Sequence, residues 1–269
     1  MISIVIPHRN QKDHLKQLLT NVSHSEHKNF EVIIVDDASN HYNIIDDVLC
    51  EYNFNIKYIK IRDDQRWWNE NTCIPANIGF DVASGEIIIF QSASCLYVGD
   101  IINDTYTSIK NNFISYACYH LGEKDTRKYL NGCPIEYRNI PFCETTSDDS
   151  CWLNNANLCP TGLSGCYAST RQIWKMIRVF DFDYMDGIGS DNLDLIDKVK
   201  SEGISIDISN HTNRPHVICL YYRPDVSDEE FCQKVYHNYH TCIKKRENRT
   251  KYEVLRNKLG IPARPIANL

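Results

Sequence analysis

Gly85 to Asp100 reads GEIIIFQSASCLYVGD, and this stretch decides the class of fold. A turn glycine and an acidic residue precede four consecutive apolar residues, Ile87 to Phe90. The chain then breaks into small polar side chains at Gln91, Ser92 and Ser94. An unbroken β-branched and aromatic run suits a strand covered on both faces, as in parallel sheets. Ligands of such sheets sit beyond the carboxyl ends of the strands, so the polar break marks the expected place of chemistry. No carboxylate lies between Gln91 and Leu96. A hard divalent cation wants charged oxygen ligands, and the polar break offers none.

Working outward, SIVIP (Ser3 to Pro7) reads as a strand, and Leu15, Leu18, Leu19 and Val22 mark one face of a helix. EVIIVDDAS (Glu31 to Ser39) is a second strand, ending in carboxylates. A helical stretch from about Tyr42 to Tyr52, a strand near Ile56 to Ile61 and a helix over Ala76 to Ala83 complete a β-α-β-α-β-α-β order by residue 100. That alternation predicts a parallel sheet with right-handed crossovers. Beyond Asp100 a helix is expected to about Asn111. From Gly122 to Pro160 the pattern dissolves into a polar, Cys- and Pro-rich stretch that reads as a lid or an acceptor-side excursion. Arg171 to Val179 and Asn192 to Glu202 then read as helices, Ile204 to Ile208 and Val217 to Tyr222 as strands, and Asp228 to Leu259 as one or two C-terminal helices.

Composition bounds the function. The 269 residues are 42% apolar and 11% aromatic, enough to bury one large α/β core. A net charge of −6 argues against nucleic-acid binding and against an anionic membrane surface. No apolar run approaches the roughly 20 residues of a membrane span. The opening MISIVIP goes straight into a strand, so the expected location is cytoplasmic. Twelve cysteines in such a setting are expected to be reduced and mostly buried, and no pair has CxxC spacing. A bridge among Cys133, Cys143, Cys151, Cys159 and Cys166 is the alternative if the compartment oxidises.

SIVIPHRN, FEVIIVDDAS, PANIGFDVASGEIIIFQSAS, LSGCYASTRQIW and MDGIGSDNLDLIDKVKSEG occur in this order between Met1 and Gly203. Together they resemble the landmarks of an inverting family 2 glycosyltransferase. The likeness is strongest to members with a Gln-Asn-Pro-Glu-Cys stretch where others carry a metal-binding carboxylate motif; here the stretch reads QSASC, followed by Gly99-Asp100. The resemblance implies a GT-A (Rossmann-like) fold, a mixed but mainly parallel sheet flanked by helices. Residues 1–222 would form the transferase domain, with a nucleotide-binding half to about residue 100 and an acceptor half after it. Residues 223–269 would be a C-terminal helical extension.

The resemblance also implies roles. Pro7 matches a position lining the nucleotide base, Asp37 the carboxylate that accepts from a uracil ring, and Asn77 an Asn near the nucleotide. His8 and Arg9 are placed to meet phosphate or base edges. For Asp36 and Asp37 a turn or cap with Ser39 is the competing reading, and the two roles can be divided between the pair. Arg62, Arg66, Trp67 and Trp68 form a basic-aromatic segment suited to a diphosphate or a sugar, with burial in the core as the alternative for the tryptophans. Arg66 is the candidate to replace the basic residue whose place Ala76 takes. Gln91, Ser92, Ala93 and Ser94 occupy the metal-motif region near the donor. Asp191 matches the general base of an inverting transfer, with Asp194 as alternate; a helix cap at Ser190 or Asp191 is the plain structural reading. Cys219 and Tyr222 stand where relatives often have histidines, with His211 and His216 nearby.

The expected function is transfer of a sugar from a nucleotide diphosphate donor, uridine-linked by resemblance, to a hydroxyl of a glycan, protein or lipid-linked acceptor. No metal ligand is assigned, since the carboxylate that usually holds Mn2+ or Mg2+ is absent; the alternative is an ion held weakly by the donor diphosphate with Asp191 or a histidine such as His216. A degenerate sugar-nucleotide-binding module is the second reading. A nucleotidyltransferase is a third, which would want a Gly-rich signature that IPHRNQK lacks.

Overall fold

The computed structural model describes residues 1–68, 71–141, 149–209, 214–222, 224 and 226–258. In its first half β1 (Ile2–His8), α1 (Lys12–Ser23), β2 (Phe30–Asp37), α2 (Asp46–Leu49), β3 (Asn55–Ile61), α3 (Cys73–Val82) and β4 (Ile87–Gln91) follow one another. The second half continues through β5 (Cys95–Tyr97), α4 (Ile101–Ser108), β6 (Phe113–Tyr116), β7 (Cys118–His120), α5 (Glu123–Leu130), β8 (Cys151–Asn154), β9 (Cys166–Thr170), α6 (Arg171–Met176), α7 (Asp191–Ser201), β10 (Ile206–Ser209), β11 (Val217–Cys219) and α8 (Asp228–Lys258).

The main sheet has seven strands in the order β10-β6-β9-β4-β1-β2-β3, and β9 alone runs antiparallel to its neighbours. Every residue of β1 and β2 is buried, as a strand covered on both faces requires. Alternation divides the work along β1. Ile2, Ile4 and Ile6 join Leu15, Leu18, Leu19 and Val22 of α1 in one core, while Val5 joins Phe80 of α3, Phe90 and Trp174 in the other. Each such side chain contributes about 1.5–3 kcal/mol when fully buried. The helix α3 lies so close to the sheet that a Cβ on Gly79 would collide with Val5. A second sheet, β5-β11-β7-β8, stands beyond the carboxyl ends of the main one.

Several expectations change. The stretch from Tyr42 to Tyr52 holds only a 3-10 turn, His41–Asn43, and the single turn of α2. The Asn40 side chain accepts from Tyr42 N and competes with a regular helix. α4 ends at Ser108 and not near Asn111. The described residues of the stretch from 122 to 160 are more ordered than their composition suggests: they contain α5 and β8, and β8 pairs with β7. Cys143 and His211 lie outside the described residues. The C-terminal segment is one helix, α8. Among the described residues the cysteines are free thiols, with Cys73, Cys95, Cys118, Cys151, Cys159, Cys166 and Cys242 buried, and no helix is long and apolar enough to cross a membrane.

Candidate functional site

The chain leaves β1 toward β2 and β3 on one side, then returns to β4 on the other. Such a reversal opens a crevice at the carboxyl ends of the strands. A small cavity of about 40 Å3 sits there, bounded by Pro7, His8, Arg9 and Asp37 with Thr72 and Tyr222. A larger one of about 750 Å3 adjoins it, and Pro7 and Thr72 line both. Four residues expected near the nucleotide are therefore brought together.

Asp37 is 4% exposed at the end of β2. Arg9 Nη1 donates to its backbone oxygen at 2.8 Å, and Arg66 Nε donates to Oδ1 at 3.2 Å. The Arg66 guanidinium lies 5.9 Å from the Trp68 ring centre. Burial pushes the Asp37 carboxyl above the ordinary range, against the pull of Arg66 and Arg9. Asp36 is engaged differently, since Oδ1 accepts from Ser39 N at 2.8 Å and Oδ2 from Tyr58 Oη at 2.7 Å. The turn reading thus fits Asp36, and Asp37 is the carboxylate at the cavity. Burial lowers the His8 pKa, so this side chain presents a neutral imidazole. Trp68 is buried, whereas Trp67 is exposed and Arg62 pairs with Asp64 at the surface.

Asn77 is turned elsewhere. Its Nδ2 donates to Phe180 O at 2.8 Å, and its Oδ1 accepts from Phe180 N at 3.3 Å, so it braces the segment after α6. Gln91 is fully buried and donates to Ser92 O and Cys95 O, which shapes the turn between β4 and β5. Ala93 and Ser94 are also buried, and Ser92 and Cys95 are the residues of this turn that line the large cavity. Ser94 Oγ lies 3.0 Å from Ser92 Oγ. Only the Nε2 of Gln91 is engaged, and its Oε1 is buried without a hydrogen-bond partner among the described residues; neither it nor the serine hydroxyls bring charge to offset the dehydration of a hard divalent cation.

On the opposite wall the chain turns through Gly189 (φ 68°) and Ser190 (φ 62°), both left-handed, and enters α7 at Asp191. Ser190, Asn192 and Leu193 line the large cavity. Asp191 is 6% exposed. Burial raises its pKa, opposed by the amides of residues 191 and 192 and by the Asn71 side chain. Asp194, the alternate, lies 3.4 Å from Lys198 Nζ. His216 Nδ1 is 2.5 Å from Ser209 Oγ and its ring packs near Tyr116, a structural setting. Tyr222 Oη donates to Arg9 O at 3.2 Å.

The sequence did not point to Asn71 and Thr72, which reach the site because the loop before α3 crosses it. It also gave no residue-level sign that Leu153, Leu158, Pro160 and Leu163 make the far wall of the large cavity apolar.

Known proteins agree with this architecture. The Glycosyl transferase family 2 profile matches residues 3–167, more than half of the chain. An uncharacterized glycosyltransferase of Rickettsia conorii is 31% identical over 137 residues, which are 48% of this chain and 20% of the relative. Another, from Haemophilus influenzae, is 30% identical over 120 residues, 45% of this chain and 38% of the relative. The chain thus matches well under half of either relative's length. Among solved structures, S. aureus TarS 1–349 in complex with UDP-GlcNAc superposes with a TM-score of 0.58 at 15% identity, covering 86% of this chain and 63% of that one. The mannosyltransferase PcManGT of Pyrobaculum calidifontis, in complex with GDP-Man and Mn2+, gives 0.52 at 14% identity, covering 90% and 64%. At such identities the likeness is one of fold, the GT-A arrangement. With a profile match that runs from β1 past the turn after β4, the chain belongs to glycosyl transferase family 2.

Proposed function

We propose that the protein transfers a sugar, with inversion, from a uridine diphosphate donor to a hydroxyl acceptor, and that it does so without a protein-bound metal. One observation carries this reading: Pro7 and Thr72 join the cavity beside Asp37 to the larger cavity walled by the start of α7. A donor whose base lies against Asp37 would extend its sugar past Ser92, toward the turn that presents Asp191. An inverting transfer needs one base to take the acceptor proton as that oxygen attacks the anomeric carbon. Asp191 supplies it, because Asp194 is committed to Lys198. The leaving diphosphate would be met by Arg9 and Arg66, whose forked donors suit phosphate oxygens. A cytoplasmic location and a boundary near residue 222 belong to the same reading.

The test is a nucleotide-sugar panel read by thermal shift on the folded chain. A UDP-sugar at 100 times its dissociation constant should add about 2.7 kcal/mol. The gain should shrink in Asp37→Ala. Absence of a shift with every nucleotide sugar overturns the reading. Calorimetry with the best donor should give the same affinity in excess chelator and in added Mn2+, and roughly a tenfold gain from metal would refute metal independence. The second reading, a binding module without turnover, is favoured by the missing carboxylates at 91–94. It would be marked by donor binding without transfer to any hydroxyl acceptor.

A further inference from the structure

Three cysteines and a histidine with no part in the transfer step meet on one face of the second sheet. Cys219 ends β11, the strand between β5 and β7. It is the register partner of Cys95 on β5 and of His120 on β7, and Cys118 lies two residues before His120 on the same side. The ladder fixes how Cys95 and Cys219 face each other. Leu220 N donates to Ser94 O and Val98 N to His216 O, both at 2.8 Å. By the alternation of an antiparallel ladder, Cys95 and Cys219 then form a non-hydrogen-bonded pair, in which the Cα atoms approach to about 4.5 Å. That separation lies inside the roughly 4.4–6.8 Å that a disulfide spans. Both residues line the large cavity, and a Cβ on Gly165 would run into the Cys95 sulfur, so this glycine makes room for the thiol.

The group also divides its charge in the way a disulfide-forming pair needs. Hydrogen bonds from Cys118, Cys95 and His120 hold the Cys219 thiol well below its usual range, although burial opposes them. Hydrogen bonding with Cys118 and Cys219, together with burial, pushes Cys95 well above. Ser94 Oγ lies 3.9 Å from the Cys219 sulfur. Among the described residues no His, Cys, Asp and Glu group of three or more is arranged to hold a metal ion. The cluster therefore reads as thiol chemistry.

We propose that Cys219 is an oxidation site and that hydrogen peroxide closes it onto Cys95 as a cross-strand disulfide in the cavity wall. The Cys219 thiolate attacks one peroxide oxygen, the O–O bond breaks, and the departing hydroxide takes a proton to become water. Cys219 is left as a sulfenic acid. The Cys95 thiol then attacks that sulfur, the S–S bond forms, and the S–O bond breaks as the hydroxide leaves with the Cys95 proton. Two electrons pass from the thiols to peroxide, which ends as two waters.

The experiment treats the folded full chain with hydrogen peroxide, blocks remaining thiols with N-ethylmaleimide and maps the digest by mass spectrometry. A peptide joining Cys95 to Cys219 should form and be released by dithiothreitol. Its formation should outpace oxidation of the exposed Cys50 by roughly tenfold or more, since the thiolate is the reactive form. In Cys95→Ser the same treatment should leave a sulfenic acid on Cys219, trapped by dimedone. Cys118→Ser should retain the bridge. A bridge from Cys219 to another cysteine, or oxidation of Cys219 no faster than Cys50, overturns the proposal. Because the readout is a covalent map, it stands or falls independently of sugar transfer.

Discussion

Asp191 shows what burial does to a single carboxylate. Its raised pKa makes it a better proton acceptor than an exposed aspartate, provided the pH is high enough to ionise it. The acid limb of a rate profile should therefore lie above 3.8, the ordinary aspartate value. The same shift acts on folding with a definite sign. Between the ordinary value and the raised one, the folded chain holds a proton that the unfolded chain has released, so stability falls as pH rises through that interval. Asp191→Asn keeps the shape and removes both effects. Transfer should drop about 10²–10⁴-fold, donor affinity should stay, and the melting temperature at neutral pH should hold or rise. Wild-type turnover in this variant would assign the base to another group. At this scale the sequence carried part of the site. Pro7 and Asp37 were named through resemblance and His8 and Arg9 through their place after an apolar run, and the fold gathers the four around one small cavity. Asn77 was named through resemblance, yet its amide is engaged by Phe180, which no local pattern encodes.

Glu31 works at the scale of elements. It stands near the start of β2, and its carboxylate accepts from Ser3 Oγ of β1 at 2.6 Å, from Ser84 N at 2.7 Å, and from Lys57 Nζ of β3 at 2.8 Å. Burial disfavours its charge, but Lys57, Ser3 and Ser84 more than compensate and hold the pKa at about 2, against an ordinary 4.5. A depressed carboxylate contributes stability that is complete above the unfolded value and is lost as pH falls toward the folded one. Glu31→Gln should thus lower stability at neutral pH by up to about 3 kcal/mol and flatten the acid unfolding curve between about pH 4.5 and 2. Equal acid sensitivity of variant and wild type would show that the carboxylate does not tie these strands. The elements themselves were legible in proportion to their burial. β1, β2 and β4 each carry a run of consecutive apolar residues, Ile4 to Ile6, Val32 to Val35 and Ile87 to Phe90, and β11 falls inside the strand expected from Val217, whereas β5 and β7 have three residues each, too short for any period to appear. The helix α5 begins EKDTR, with only Thr126 buried, so its sequence looks like a solvated loop.

Across the whole molecule, the two ends of the site have different supports. The proposed nucleotide end is built on β1 and β2 inside the main core, while the turn leading to Asp191 is held from outside by α8. Asn238 of α8 is fully buried, and its Nδ2 donates to Tyr184 O and Gly189 O, each at 3.0 Å. Lys245 pairs with Asp181 at 2.7 Å and Asp183 at 2.6 Å, and Arg246 pairs with Asp197 at 2.5 Å. The ion pairs lie near the surface, where each is worth about 0–1 kcal/mol. The buried amide matters more, because removing it strands two carbonyls at about 1–3 kcal/mol for an unsatisfied group. A C-terminal helix that sequence alone presents as an extension therefore fixes the backbone just before the proposed base. Asn238→Leu keeps the branched outline at a somewhat larger volume and deletes both bonds. Transfer should fall while UDP-sugar affinity, set at β1 and β2, stays the same, and Lys245→Ala should change either quantity far less. Paired measurement of donor affinity by calorimetry and turnover by acceptor assay decides the point: affinity and turnover falling together would mean that α8 supports the whole fold, and neither falling would free the turn from α8 altogether.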